Sequence, residues 1–205
     1  ESSRYIHESI SDGNSIWIAQ AEGRAKNGLD VTDPAIIKMF ALANRKAPIS
    51  DIVQELAIVP VSISYEYDPC DYLKAKELSA VAKEGSYQKP PGEDLLSLVK
   101  GLGEFKGKVY LRFGERLQGD FQSPEEVANA LDHQILENYQ LYEVNYWALS
   151  QLAREDQTSD YVSCWRALKS TVSIEDSQPF EDRLSACPEA HRRQWLEMYA
   201  NPVVN

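Results

Sequence analysis

The apolar run at residues 58–65, Ile-Val-Pro-Val-Ser-Ile-Ser-Tyr, is the sequence feature that most constrains the fold. The run is rich in β-branched residues, and Asp68-Pro69 follows it as a breaker, so it predicts a buried strand. Its continuous apolar part is far shorter than the ~20 residues that a membrane-spanning helix needs. We therefore expect a globular chain built around short buried strands, with no transmembrane segment.

Two further runs predict strands, and the segments between them predict helices. We expect Ile16–Ala19, Ile58–Tyr65 and Val109–Phe113 to form one mixed sheet with flanking helices, because strands that alternate with helices are typical of an α/β fold. The strand signal ends near residue 120. The prediction is thus an α/β portion over residues 1–120 and a helical C-terminal extension over residues 121–205. Helices are predicted over 3–11, 34–45, 50–56, 71–84, 93–102 and from 124 onward.

The charge balance and the cysteines exclude several classes of protein. The chain has a formal net charge of −11, which is repelled by phosphate backbones, so we expect no nucleic-acid partner. Its three cysteines, Cys70, Cys164 and Cys187, are widely spaced and form no zinc-binding motif. We therefore expect free thiols in a reducing compartment and no metal.

A phosphate-binding turn is predicted directly after the first strand. The strand delivers Glu22-Gly23-Arg24 to one end of the sheet, where ligands of α/β proteins usually bind. Gly23 lets the backbone approach a ligand, Arg24 offers a planar fork of donors suited to phosphate, and Lys26 adds a second positive charge. The alternative is a solvated loop with scattered charges.

Several segments resemble the glycerolipid acyltransferases, the family that includes lysophosphatidic acid acyltransferases. Ser15–Lys26 resembles the third motif of that family, and the longer run over 16–28 is similar to a bacterial branch. Ile58–Tyr65 resembles the fourth motif, and Val109–Gly114 the strand that closes the acyltransferase domain. The tail around Tyr199-Ala200-Asn201-Pro202 is similar to the same bacterial branch. The resemblance thus covers residues 1 to about 120 and part of the tail.

The resemblance implies an enzyme of phospholipid synthesis. It transfers a fatty acyl group from an acyl thioester, on coenzyme A or acyl carrier protein, to a lysophosphatidate-like acceptor, without a further cofactor. In this reading Arg24 holds the acceptor phosphate, and Glu22 and Gly23 shape the turn. The implied location is the cytoplasm, with peripheral contact at the inner face of the bacterial membrane.

The family's catalytic centre is a His-x4-Asp pair, in which the His is the general base on a glycerol hydroxyl. His7 and Asp12 have this spacing. We expect them not to be the catalytic pair, because the family places its pair several elements before the third motif. A helix over residues 3–11 would also turn the two side chains ~140° apart. The expectation is that the true pair precedes Glu1 and that His7 is a surface histidine.

Two alternatives to the enzyme stay open: a non-catalytic phosphate- or lipid-binding relative that lacks the base, and an unrelated α/β phosphate-binding protein. The acids between Tyr65 and Asp71 are interpreted as a solvated strand end, with a hard-metal site as the alternative. The aromatic residues of the tail are interpreted as packing residues, with membrane contact as the alternative. They are Tyr139, Tyr142, Tyr146, Trp147, Trp165, Trp195 and Tyr199.

Overall fold

The computed structural model describes residues 1–21, 25–155 and 159–205. Over these residues the chain is a mixed α/β protein that is mostly helical, with ten α-helices and a small two-stranded antiparallel sheet. The elements up to the second strand are α1 (Ser2–Ser11), α2 (Pro34–Ala41), α3 (Ile49–Leu56), β1 (Val61–Tyr65), α4 (Asp71–Glu84), α5 (Glu93–Gly103) and β2 (Val109–Phe113). The later helices are α6 (Pro124–Glu137), α7 (Glu143–Glu155), α8 (Asp160–Leu168), α9 (Gln178–Ala186) and α10 (Arg192–Val204).

Helices lie at all the predicted places, although α2 ends at Ala41 and not near residue 45, and two of the helices begin at the residues that the sequence indicates. The Asp33 carboxylate accepts a hydrogen bond from the Ala35 amide at the start of α2, and the Ser123 hydroxyl accepts one from the Glu126 amide at the start of α6. In both helices proline follows the cap, where its missing N–H costs no bond. None of the helices in the described ranges has the length and apolar character required to cross a bilayer.

Strands β1 and β2 lie in one sheet, as predicted, but this sheet is two-stranded and antiparallel instead of the predicted mixed sheet. The Glu66 amide donates to the Lys108 carbonyl over 2.9 Å, and the Gly114 amide donates to the Pro60 carbonyl over 2.8 Å. These bonds close the two ends of an antiparallel ladder. Pro60 lies just before β1 and contributes only its carbonyl, as expected for a proline beside a sheet.

The predicted strand at Ile16–Ala19 is wrong. The segment forms neither helix nor strand, and Trp17 is exposed. β-branched and aromatic residues favour an extended backbone, but a strand also needs a neighbouring strand that satisfies its amides and carbonyls. The sheet that the described residues form consists of β1 and β2, so this segment has no ladder partner in it.

The chain divides into two compact units, each assembled from separate segments. The first unit contains Glu1–Arg24, Asp30–Ile63 and Leu111–Tyr139, and the second contains Ala25–Leu29, Ser64–Tyr110 and Gln140–Asn205. The sequence instead predicts a division at residue 120, between an acyltransferase portion and a helical extension. The two compact units do not test that division, and it stays a prediction. After Ser123 the described chain is helical and contains no strand, in agreement with the predicted extension.

The core of the first unit is aliphatic. Helices α1, α2, α3 and α6 each bury one face in it, and Ser3 ties α1 to the end of α2 by donating to the Phe40 carbonyl over 2.9 Å. The buried members that lie in α2, α3 and α6 occur at helical spacing, as the sequence pattern predicts, and Leu117 adds to them from the segment before α6. The buried members are Ile6, Ile37, Phe40, Ile52, Val53, Leu56, Leu117, Val127 and Leu131.

The core of the second unit contains a cluster of aromatic rings among aliphatic side chains. The Trp195 ring lies 4.5 Å from the Tyr199 ring and 6.4 Å from the Trp147 ring, and Phe180 lies 5.9 Å from Trp147. These centroid distances lie in the range that aromatic pairs favour. The interpretation of the tail aromatics as packing residues is therefore confirmed for Trp147, Trp195 and Tyr199, and membrane contact is wrong for these three buried side chains.

Candidate functional site

The structure describes the segments that directly precede and follow the predicted phosphate turn. Glu22, Gly23 and Arg24 themselves lie outside the described residues, and their role stays a prediction. Before them, the Gln20 carbonyl accepts a hydrogen bond from the Asp33 amide over 2.8 Å. This bond holds together the two ends of the segment over residues 21–32, which contains the turn.

The residues that directly follow the turn are held by α4. The Lys74 ammonium donates to the Ala25 carbonyl over 3.1 Å and to the Asp68 carboxylate over 2.5 Å. Because Asp68 follows β1, one lysine links the segment after the turn to the end of that strand. One helical turn further on, Glu77 accepts a hydrogen bond from Lys26 over 2.5 Å. The backbone at Ala25 and Lys26 is thus positioned by side chains of a single helix.

Lys26 is the one predicted phosphate ligand that the structure describes. Its ammonium pairs with the carboxylate of Glu77, which is largely buried, while the Lys26 side chain is partly exposed. A phosphate at the turn would therefore share Lys26 with Glu77. Because Lys26 is already paired with Glu77, Arg24 is the main phosphate ligand in this prediction. The role of Lys26 also stays a prediction.

Helix α10 packs directly against Asn27 and Gly28, which follow the predicted turn. The Asn201 side-chain amide donates to the Asn27 carbonyl over 2.8 Å. Gly28 has a φ of +77°, and a Cβ atom at this position would lie 2.2 Å from the Met198 carbonyl oxygen. No side chain fits there, so the close approach of the two backbones requires glycine.

This contact joins two stretches that are far apart in the sequence. The run over 16–28 and the tail around Tyr199–Pro202 are the two stretches that resemble the same bacterial branch. They meet where Asn201 and Met198 contact Asn27 and Gly28. The tail therefore holds Asn27 and Gly28 in place, which its distance in the sequence does not indicate.

The second unit also contains a buried ion pair between Asp71 and Arg183. Asp71 begins α4 and is 1% exposed. Its Oδ2 atom accepts hydrogen bonds from Arg183 Nε at 2.6 Å, Trp195 Nε1 at 2.9 Å and the Tyr199 hydroxyl at 3.0 Å. The Tyr199 hydroxyl in turn accepts a bond from the Asp68 amide at 2.9 Å. The network therefore fixes α4, α9 and α10 relative to the end of β1.

The charge of Asp71 depends on these donors. Burial raises the pKa of Asp71, while the Arg183 guanidinium and the bonds from Trp195 and Tyr199 act against this rise. Arg183 also lies between the rings of Tyr67 and Tyr72, with its guanidinium carbon 5.3 and 5.4 Å from their centroids.

The solvated strand end predicted between Tyr65 and Asp71 is wrong at Asp71. The carboxylate does not face water, because Arg183 from α9 covers and neutralises it. Arg183 lies more than a hundred positions away in the sequence, and no local pattern signals the pairing. The metal alternative gains no support either, since the described part of the chain holds no cluster of three or more His, Cys, Asp or Glu side chains that could bind an ion.

The structure does not bring His7 and Asp12 together. His7 Nδ1 lies 2.8 Å from a carboxylate oxygen of Glu55, and Nε2 lies 3.0 Å from the Phe40 carbonyl oxygen. Asp12 is the C-terminal cap of α1, beyond the last helical residue. Both ring nitrogens of His7 are therefore engaged by other partners, and the side chain is only 12% exposed rather than a surface group.

The surroundings of His7 favour its charged form. Although burial lowers the pKa, the bonds to Glu55 and Phe40 raise it, and the net shift is upward from 6.5. A neutral imidazole donates through one nitrogen only, whereas both nitrogens here face acceptors. This environment suits a structural cation, whereas a general base must be neutral before it takes a proton.

An open apolar depression lies in the first unit beside the segment that leads to the predicted turn. It has a volume of about 520 Å³, within the range of small-molecule sites. Its lining includes Ile16, Ile18, Ile6 and Met39. Such a surface matches a hydrocarbon chain better than a polar headgroup.

Over the described residues no disulfide forms, and Cys70 and Cys187 are buried while Cys164 is partly exposed. Burial raises the pKa of the Cys187 thiol to about 11, which makes it a poor nucleophile at neutral pH.

In comparisons with known proteins, no family model, no curated protein and no solved structure matches this chain.

Proposed function

We propose that this chain is the C-terminal part of a glycerophospholipid acyltransferase. The reaction is the transfer of a fatty acyl group from coenzyme A or acyl carrier protein to a lysophosphatidate-like acceptor. The observation that supports it best is the contact of Asn27 and Gly28 with α10. A solvated loop with scattered charges needs no such anchoring, whereas a turn that must hold a phosphate in one place does.

Within this proposal the chain supplies the grip on the acceptor. Arg24 binds the phosphate through its planar fork of donors, and Glu22 and Gly23 shape the turn around it. The apolar depression lined by Ile16 and Ile18 offers a surface for an acyl chain. Holding the phosphate aligns the glycerol hydroxyl for attack on the thioester carbonyl, and the thiol is the leaving group.

The general base is not His7 in this proposal. Its ring is held between Glu55 and the Phe40 carbonyl, and its raised pKa favours the protonated form. The resemblance implies that the base is the His of a His-x4-Asp pair that comes several elements before the third motif. The same observation favours the second candidate function, a relative that binds a phospholipid but lacks the base.

Acceptor binding tests the proposal without requiring turnover. A short-chain lysophosphatidate is titrated into the chain by calorimetry, with Arg24→Ala as the variant and the exposed Arg45→Ala as the matched control. Losing one charge-assisted hydrogen bond should weaken binding roughly 10- to 100-fold. We expect Arg45→Ala to bind like the wild type. Absent binding, or equal affinity of all three proteins, would contradict the proposed phosphate grip.

Turnover separates the enzyme from the binding relative. The full gene product is assayed for acyl transfer to lysophosphatidate and to a monoacylglycerol, which has no phosphate. We expect Arg24→Ala to raise the KM for lysophosphatidate and to leave the weak use of monoacylglycerol unchanged, because only the first substrate uses the guanidinium. A full gene product that binds the acceptor but never transfers an acyl group would favour the binding relative.

A further inference from the structure

Glu77, in the middle of α4, holds the one predicted phosphate ligand that the structure describes. Its Oε1 atom accepts a hydrogen bond from the Lys26 ammonium over 2.5 Å. The Glu77 side chain is 16% exposed and the Lys26 side chain is 38% exposed. A partly buried pair of this kind is screened less by salt than an ion pair in open solvent. An anion that approaches Lys26 therefore meets an ammonium whose charge is already balanced.

The other ion pair beside this segment is balanced as well. Lys74, one helical turn before Glu77, donates to the Asp68 carboxylate over 2.5 Å and to the Ala25 carbonyl over 3.1 Å. The Lys74 and Asp68 side chains are 15% and 21% exposed. Together the two pairs fix Ala25 and Lys26 on α4, and they bring no net charge to the residues that follow the turn.

Glu77 lies close enough to weaken the binding of an anion at Lys26. A phosphate oxygen bonded to the Lys26 nitrogen lies about 3 Å from it, and so within roughly 6 Å of the Glu77 carboxylate. Even at the dielectric constant of water, two unit charges at this distance change an affinity about threefold. The repulsion doubles in free energy for a phosphate with two charges, which corresponds to about tenfold in affinity.

We propose that Glu77 acts through Lys26 to limit how tightly the site holds a doubly charged phosphate. The inference rests on the proposed function, in which a phosphate binds at the turn. Lys26 keeps hydrogen-bond donors for the phosphate, because an ammonium has three and Glu77 takes one. Glu77 thereby narrows the preference for a phosphate monoester, with two charges, over a phosphodiester, with one.

The chemistry of acyl transfer gives this restraint a use. The phosphate does not react and is the same group in the acceptor and in the product. A stronger grip on it stabilises every bound state alike, which lowers KM without raising kcat. Glu77 is thus a positioning residue that sets the strength of binding and takes no part in the chemical step.

Calorimetry at pH 8 with two short-chain ligands tests the proposal. Lysophosphatidate carries nearly two phosphate charges at this pH, because the second pKa of a phosphate monoester is about 6, and lysophosphatidylglycerol carries one. Glu77→Gln keeps the size of the side chain and an oxygen that accepts from Lys26. We expect this variant to bind lysophosphatidate about tenfold more tightly and lysophosphatidylglycerol about threefold more tightly than the wild type.

Further variants separate charge from structure. Lys26→Met leaves Glu77 unbalanced and should bind lysophosphatidate about tenfold more weakly, and Lys26→Met/Glu77→Gln should fall between the two single variants. A merely structural pair would instead make both single variants weaker. Glu84→Gln is the matched control, because Glu84 is exposed on the same helix about 10 Å further along, and it should bind like the wild type. Circular dichroism verifies that each variant is folded.

The outcomes distinguish this proposal from the proposed function. If Arg24→Ala weakens binding while Glu77→Gln binds equally or more weakly than the wild type, the role of Glu77 is overturned and the phosphate grip stands. If Glu84→Gln tightens binding as much as Glu77→Gln, the effect comes from net charge and the role of Glu77 is again overturned. If Arg24→Ala binds like the wild type, the proposed function fails, and the role of Glu77 with it.

Discussion

The buried pair of Asp71 and Arg183 gives the sharpest test of the fold beneath the candidate site. The perturbation is Asp71→Asn, which keeps the size of the side chain and removes its charge. Oδ2 accepts bonds from Arg183, Trp195 and Tyr199, so the amide oxygen must stay at that position to avoid three opposed donors. The amide NH2 then faces the Tyr72 amide, which donates to Oδ1 over 2.8 Å in the wild type.

The cost follows from what is left without a partner. Breaking a buried ion pair by neutralising one member costs about 3–5 kcal/mol, because the other charge stays buried. The Arg183 side chain is 22% exposed and can be partly hydrated, which favours the lower end. The opposed donors at Tyr72 add to this cost. We therefore expect the free energy of unfolding to fall by about 3 kcal/mol, a large share of the ~5–15 kcal/mol of a typical domain.

An exposed pair of equal length is the control. Lys89 and Asp94 also lie 2.6 Å apart, but Asp94 is 79% exposed, so Asp94→Asn should cost less than about 1 kcal/mol. Unfolding in urea is followed by tryptophan fluorescence, because three of the four tryptophans lie in the second unit. The double variant Asp71→Asn/Arg183→Met should recover part of the loss. If Asp71→Asn is no more destabilising than Asp94→Asn, the reasoning about burial is refuted.

Three further predictions concern single residues. Gly28→Ala should lower the melting temperature and weaken lysophosphatidate binding, because the new methyl group collides with α10; unchanged values would refute the required close approach. The raised pKa of His7 means that its bond to Glu55 stabilises the fold fully below pH ~6.5 and that this stability is lost as pH rises through the folded-state pKa. Urea titrations at pH 6 and pH 8.5 should therefore show a smaller pH dependence for Glu55→Gln than for the wild type, and an equal dependence would contradict the assignment. An alkylating reagent at pH 8 should modify Cys164 before Cys187, read by mass spectrometry of the peptides, because burial raises the pKa of Cys187 to about 11.

Local patterns in the sequence were sufficient to predict most of the helices and the strand pair. Asp33-Pro34 and Ser123-Pro124 start helices where they were expected, because a cap satisfies amides that lie within three residues of it. The run that contains β1 is a strand because its β-branched residues fit a pleated surface and β2 supplies the ladder partner. In these cases the structure depends on interactions between neighbours in the chain, or on a second strand that the sequence pattern predicts equally clearly.

The candidate site was predicted only in part. The motif around Arg24 was visible in the sequence, and the structure adds that Lys74 and Asn201 hold the residues that follow it. That support comes from helices about 50 and 170 positions away. Their residues carry no signature of this role, since any lysine or asparagine on an exposed helix face looks the same in the sequence.

Only the tertiary structure determines which side chains are shielded from water and which segments find a hydrogen-bonding or packing partner. Ile16–Ala19 has the composition of a strand but no ladder partner among the described residues, so propensity did not become structure. Asp71 looks solvated in the sequence and is buried because Arg183 reaches it. The apolar face of α5 looks like a core face and is exposed because the helix is attached through Glu93 and Ser97. Local sequence determines backbone preference, whereas burial and pairing depend on residues that only the folded chain brings together.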